Sequence, residues 1–412
     1  MSSRLLILSN GHGEDLIALR VLEALQRHAG IQEVAVLPLV GLGTAYAAAE
    51  RQGRLRRIGP RGQLPSGGFS NQSLGGLLAD LGAGLPVLSL QQWRQVRDWG
   101  RRGDPVLAVG DLLPLVLAWS GGGPYGFIGT PKSDWTWSSP PPPGWGASPL
   151  ADAYHRAKGS EWDPWEWALM GGRRCRLVAV RDRLTARGLR RHGIQALAPG
   201  NPMMDGLEAP PLPAALAQRR RLLLLPGSRM PEALGNLRRL LPALRDPREP
   251  TTVLVATGAR PDPRDLAPLL EAEGFLPAPA ALDGARGWER GHLQLLVGAG
   301  RFAAWASWAE LGLATAGTAT EQLVGLGVPA LSLPGPGPQF KAGFARRQSR
   351  LLGGAVQPCR NGEELAERLG QLLADESERR RLGGIGRRRM GPSGGSDRLA
   401  ALIEERLLRL PA

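Results

Sequence analysis

Leu222-Leu223-Leu224-Leu225-Pro226-Gly227-Ser228-Arg229, with Pro231 to Leu244 behind it, is the stretch from which the architecture reads most directly. The four leucines form an apolar run of strand length. Pro226-Gly227-Ser228-Arg229 is a turn, and Pro231, near a first helical position, opens a helix. The same order stands at the start of the chain. Leu5-Leu6-Ile7-Leu8 reads as a buried strand and Ser9-Asn10-Gly11-His12-Gly13-Glu14-Asp15 as a glycine-rich loop. Leu16, Leu19, Val21, Leu22 and Leu25 then recur at helical spacing before a second strand, Val34-Ala35-Val36-Leu37. Strand, loop, helix and strand in that order imply a parallel α/β sheet. Further strands are predicted at 105–109, 127–128 and 177–180, and, past the Pro-rich linker Glu208 to Ala214, at 252–256, 293–297, 311–315 and 328–333. The expectation is two Rossmann-like domains in tandem, 1–207 and 208–395, with an amphipathic helix at 396–412.

Composition narrows the function classes. With 42% hydrophobic and 21% charged residues in 412, the chain can build real cores, which excludes bulk disorder. The net charge of +14 points to anionic partners. Of the basic residues only Lys132, Lys158 and Lys341 are lysines, and arginine usage that extreme also accompanies G+C-rich coding sequence. No zinc finger or RNA-binding aromatic motif is present, so nucleic acid is not the expected partner. Cys175 and Cys359 stand far apart with no CxxC, which predicts reduced thiols and no metal site. Arg4-Leu5-Leu6-Ile7-Leu8 is too short for a signal peptide. No run reaches the roughly 18 apolar residues of a membrane span. The predicted location is the cytoplasm, with peripheral attachment to the inner face of the membrane compatible with the charge.

Two turns carry the chemistry. Gly227, Ser228 and Arg229 follow a strand and precede a helix, where free peptide N–H groups receive phosphate oxygens and an Arg adds a charged contact. Taken alone, an ordinary strand-to-helix turn is the better reading. Ala316-Gly317-Thr318-Ala319-Thr320-Glu321 has the same placement. Gly317 lets backbone approach a pyrophosphate, the hydroxyls of Thr318 and Thr320 can donate, and Glu321 can accept from two ribose hydroxyls or simply favour the helix dipole. Two such turns in one domain predict a bound nucleoside diphosphate.

The order of these motifs resembles the bacterial lipid-A-disaccharide synthase family, inverting glycosyltransferases of the GT-B fold. The matching residues are Gly200-Asn201-Pro202-Met203-Met204-Asp205 (Gly-His-Pro-x-x-Asp in the family), Leu224 to Glu232 with Asn236-Leu237, and Gly317-Thr318-Ala319-Thr320-Glu321 with Pro329. The resemblance implies two domains facing a cleft, with the helix from Ser396 returning to the N-terminal domain. It implies a UDP-sugar donor in the C-terminal domain and a lipid or lipid-linked acceptor on the N-terminal one, with no separate cofactor. Ser228 and Arg229 would contact phosphates, Gly317, Thr318, Ala319 and Thr320 form the pyrophosphate loop, Glu321 hold the ribose, and Gln339 stand beside the donor sugar. The family's Gly-Glu-x-Ser-Gly-Asp loop is here Gly11-His12-Gly13-Glu14-Asp15, and its Asp-Ala-Pro-Asp stretch is Gly110-Asp111-Leu112-Leu113-Pro114.

An inverting transferase needs one base for the acceptor hydroxyl. His12 and Asp111, just past predicted strand ends, are the candidates; a loop histidine and a helix cap are the alternatives. Glu14 and Asp15 read as solvated caps. The Trp-dense stretch around Trp162, Trp165 and Trp167 reads as core, as an interfacial patch, or, the preferred reading, as an acceptor-side lid. Two rival functions stay open. A GT-B-type UDP-sugar epimerase would turn over donor without acceptor, and a non-catalytic relative would bind nucleotide-sugar or lipid without turnover.

Overall fold

The computed structural model describes residues 4–28, 31, 33–60, 85–146, 148–207, 209–244, 247, 249–335 and 340–409. The chain forms two compact units, one of residues 1–134, 157–205 and 393–412, the other of 135–156 and 206–392.

In the first unit, strands β1 (Arg4–Ser9), β2 (Glu33–Pro38), β3 (Arg56–Arg57), β4 (Val106–Gly110), β5 (Tyr125–Gly129), β6 (Cys175–Val180) and β7 (Ala196–Leu197) form one sheet in the order β3-β2-β1-β4-β5-β6-β7. Every pairing is parallel. Leu5 to Leu8 and Val106 to Val109 are buried throughout, as strands covered on both faces must be. Helix His12–His28 buries Ile17, Ala18, Val21, Leu22 and Leu25. Leu16, expected on that face, is 36% exposed.

Helix Gly395–Ile403 packs on helix His12–His28 within this unit. The Gly200–Asp205 motif explains how. Asp205 accepts hydrogen bonds at its N-terminus, Oδ1 from Gly395 N at 3.2 Å and Oδ2 from Ser396 N at 2.7 Å. A Cβ on Gly395 would lie 2.7 Å from the Asn201 carbonyl carbon, so only glycine fits there. One of the motifs that carried the family resemblance is thus an anchor for the returning helix.

In the second unit, β8 (Arg220–Leu225), β9 (Thr251–Thr257), β10 (Leu276–Ala278), β11 (Arg286–Arg290), β12 (Leu293–Ala299), β13 (Leu311–Ala314), β14 (Ala330–Ser332) and β15 (Val356–Pro358) run in the order β10-β11-β12-β9-β8-β13-β14-β15. The pairings are parallel except along β10-β11-β12.

The sequence boundary at 207/208 did not anticipate that 135–156 belongs to the second unit. Helix Trp135–Ser138 packs on helix Ala342–Leu351. Arg350, 6% exposed, donates to the carbonyls of Trp137 and Ser139 at 2.7 and 2.8 Å and to Asp152 Oδ1 at 2.9 Å. Arg346 and Arg360 bond the carbonyls of Gly146 and Gly144, both at 2.7 Å, and the Arg389 guanidinium lies 3.4 Å from the Trp135 ring centre. A proline-rich segment offers many carbonyls and few N–H donors, and arginine is the side chain that matches it.

The lid reading of the Trp-dense stretch gives way to packing at Trp162. That residue is fully buried in the first unit and meets Phe127 edge-on at 5.4 Å. Trp167 stacks on His192 at 3.6 Å, while Trp165 is 56% exposed. Among the described residues no helix is long and apolar enough to cross a membrane.

Candidate functional site

Each sheet has a point where the chain, having wound one way, starts winding the other. It lies between β1 and β4 in the first unit and between β8 and β13 in the second. Loops diverge there at the carboxyl ends of the strands, and α/β sheets bind ligands in that position.

In the second unit, β8 and β13 pair in register from Leu222–Leu311 to Leu225–Ala314. Both predicted phosphate turns therefore leave the sheet side by side. Thr315 fastens them, donating to Leu225 O from its N at 3.0 Å and its Oγ1 at 3.2 Å. Gly227 has φ +95°, a conformation glycine adopts without strain. Ser228 is exposed and Arg229 half-buried; burial lowers the Arg229 pKa, with Glu232 opposing.

Helix Thr318–Gly325 starts from Gly317, which caps it without a side chain. Its first-turn N–H groups have no intrahelical acceptors. Gln348, buried on helix Ala342–Leu351, donates from Nε2 to Gly317 O at 3.1 Å and Ala316 O at 3.4 Å, holding the turn from behind. Thr318, Ala319 and Glu321 are half-buried. Thr320 is fully buried and its hydroxyl donates to Ala316 O at 2.6 Å. It therefore shapes the loop rather than presenting a donor. Arg239, from helix Glu232–Leu240, donates to Asn236 Oδ1 at 3.0 Å and Leu333 O at 3.3 Å, linking the helix after β8 to the end of β14. Gln339 lies outside the described residues.

In the first unit, Asp111 follows β4 and caps helix Leu112–Ser120 through Leu113 N at 3.2 Å; it also accepts from Asn10 Nδ2 at 2.8 Å. The cap reading of Asp111 and its place at the switch point hold together. Burial raises its carboxyl pKa, opposed by the Leu113 hydrogen bond and by Lys132. His12 is the first residue of helix His12–His28, and its side chain lies outside what is described.

Glu14 and Asp15 are not the solvated caps the sequence predicts. Asp15 is 3% exposed and accepts from Ser9 Oγ at 2.6 Å, which in turn accepts from Tyr46 at 2.9 Å. Glu14 lies partly buried against the end of β4: a Cβ on Gly110 would be 3.4 Å from its Cγ. Its Oε1 accepts from Thr130 Oγ1 at 3.3 Å. Burial pushes its carboxyl up to about 7, and the charge of Asp111 adds to the effect. The available signal was an acid in the first turn of the helix after the first strand, the position a switch point exposes. Among the described residues no group of three or more His, Cys, Asp or Glu is placed to hold a metal.

No family model matches the chain, and no curated protein matches it. Solved structures match it from end to end at low identity. They include CalG4, the calicheamicin glycosyltransferase, at 16% identity and TM-score 0.60, covering 100% of both chains. MurG of Acinetobacter baumannii matches at 16% and 0.55, covering 98% of this chain and 99% of that one. The UDP-GlcNAc 2-epimerase of Neisseria meningitidis, bound to UDP-GlcNAc, matches at 15% and 0.57, covering 99% of this chain and 100% of that one. Together with the two sheets, these likenesses give the chain a two-domain α/β GT-B fold.

Proposed function

We propose that the protein is a glycosyltransferase that moves a sugar, with inversion, from a UDP-sugar to a lipid or lipid-linked acceptor. The observation that carries the reading is the pair of turns at the β8/β13 switch point, held in register by Thr315. Gly227, Ser228 and Arg229 and the start of helix Thr318–Gly325 supply peptide N–H groups and a guanidinium suited to two phosphates. These groups also stabilise the charge that develops on the departing UDP. Glu321, one turn into that helix, receives the ribose hydroxyls.

A lipid-linked acceptor is supported by the helix that Asp111 caps. Leu113, Val116 and Trp119 recur every third residue along it and are 40%, 37% and 43% exposed. An apolar ridge beginning two residues from a carboxylate suits an acyl or polyprenyl chain. On helix Leu85–Arg101, Val87 and Leu90 are exposed, as are Arg94 and Arg97, a mixture suited to an anionic membrane surface.

The test is calorimetry with UDP, ADP and GDP, followed by turnover of UDP-sugars with and without a lipid acceptor. Selective UDP binding and acceptor-dependent UDP release are expected. Failure to bind any nucleotide overturns the reading. The likeness to UDP-GlcNAc 2-epimerases favours one second reading, an epimerase. Isomerisation of the UDP-sugar with no acceptor present would establish it instead.

A further inference from the structure

We infer that Glu14 is the residue that takes the proton from the acceptor hydroxyl, with Asp111 as its positioning neighbour. The inference rests on the transferase reading above and names a group the sequence did not single out.

Three carboxylates gather at the carboxyl edge of β1 and β4, and their surroundings separate their roles. Asp15 is turned into the core and bonded to the Ser9–Tyr46 pair, out of reach of a substrate. Asp111 accepts from Asn10 Nδ2 and Leu113 N; the Leu113 bond and Lys132 oppose the rise that burial imposes on its carboxyl. Glu14 accepts a hydrogen bond from its own backbone N–H and a long one, 3.3 Å, from the Thr130 hydroxyl, and lies against the Gly110 backbone. Burial and the charges of Asp111 and Asp15 work against its ionised form, and a carboxylate so placed accepts a proton readily near neutral pH.

Among the described residues the titratable groups that act on it are few. Asp111 comes from the β4 turn and Asp15 from its own helix; Tyr46 lies beyond Asp15. Lys132, past β5, acts on Asp111 and is paired with the buried Glu166 at 2.5 Å. His12 precedes Glu14 by two residues on the same turn.

The step balances. The acceptor O–H bond breaks and its proton passes to a Glu14 carboxylate oxygen. The oxygen's electron pair forms the new bond to the anomeric carbon. The bond from that carbon to the diphosphate oxygen breaks, and its pair leaves on UDP. Glu14 then returns the proton to water.

Two measurements on the full chain test this. The first is UDP release from UDP-N-acetylglucosamine or UDP-glucose, with dodecyl maltoside or water as acceptor, followed against pH. Wild type should lose activity as pH falls through about 7. Glu14→Gln should lose on the order of 10²–10⁴-fold in kcat with UDP affinity unchanged. Asp111→Asn, which can still cap its helix, should move the acidic limb to lower pH because it removes a repelling charge. The second is infrared difference titration, in which the wild-type spectrum should show a carboxyl ionising near 7 that Glu14→Gln lacks. If Glu14→Gln turns over within threefold of wild type, or the Glu14 carboxyl of wild type titrates at an ordinary glutamate value, this inference alone falls. A wild type that neither binds UDP nor releases it from a UDP-sugar overturns both readings.

Discussion

The two sheets change winding direction at equivalent places, β1/β4 in one unit and β8/β13 in the other, but the loops that open there carry opposite chemistry. At β1/β4 the side chains are acidic: Glu14 and Asp111, with Asp15 behind them. At β8/β13 the polar groups are peptide N–H groups, hydroxyls and Arg229, with Glu321 set one turn into a helix. The backbone plan is shared, a strand running into a helix after a short turn. The difference lies in the residue that precedes a helix. Asp111 caps the helix after β4 with its own carboxylate. Gly317 caps the helix after β13 without a side chain, an N-terminus suited to an anion from outside. On the proposed reading one unit manages a proton and the other a phosphate, and substitutions should separate the two.

The largest separation is expected from Glu321→Ala. Loss of charged hydrogen bonds to ribose should weaken UDP binding by about 1.5–3 kcal/mol, roughly 10- to 150-fold. The ionisation of Glu14 should not move. Calorimetry with UDP and the infrared titration check both halves, and unchanged UDP affinity would remove Glu321 from the nucleotide site.

Glu14→Gln should act on the other unit and in the other direction. The Glu14 carboxyl is raised from 4.5 to about 7 in the folded chain, so folding favours its protonated form. That contribution is complete below the unfolded value and is lost as pH rises through the folded one. The neutral Gln variant should match wild type near pH 4 and be more stable by about 1–3 kcal/mol at pH 8. Denaturant melts at the two pH values measure the difference, and a variant less stable at pH 8 would mean the charged carboxylate is welcome there. A residue that costs stability where it sits is what a functional carboxylate looks like.

Arg229→Ala should weaken UDP by about 1–2 kcal/mol and leave uridine affinity alone, because only the phosphates face the guanidinium in this reading. Equal losses for UDP and uridine would place Arg229 elsewhere.

How much of this the sequence disclosed follows from the range of the interactions. Leu222 to Leu225, Val34 to Leu37 and Thr252 to Ala256 announce themselves as buried strands because both their faces are covered. The two glycine-containing turns after β8 and β13 announce themselves through local turn chemistry. By contrast β10, Leu276-Pro277-Ala278, is three residues with a proline on an exposed edge, and no periodicity can flag it. The transfer of 135–156 to the second unit depends on arginines about 200 positions further along, which act on backbone carbonyls without regard to side-chain identity. Glu14 was misread for a related reason. An acid in a first helical turn is favoured by the dipole even in full solvent, and what buries this one, Gly110 and Thr130, lies about 100 residues away.

The smallest effect isolates the turn itself. Gly227 has φ +95°, but a Cβ there would meet nothing closer than Asn236 Nδ2 and Thr315 O, both at 4.0 Å. Gly227→Ala therefore pays only for backbone strain, about 1–2 kcal/mol, with no clash to relieve. If the turn keeps its shape, the variant should melt lower while binding UDP within about twofold of wild type. If it escapes strain by flipping out of the left-handed region, the neighbouring N–H groups turn away and UDP affinity falls with little change in melting. The two results trade stability against binding, and either shows whether the anion site is held by the sheet register or by the one residue that lets the chain turn.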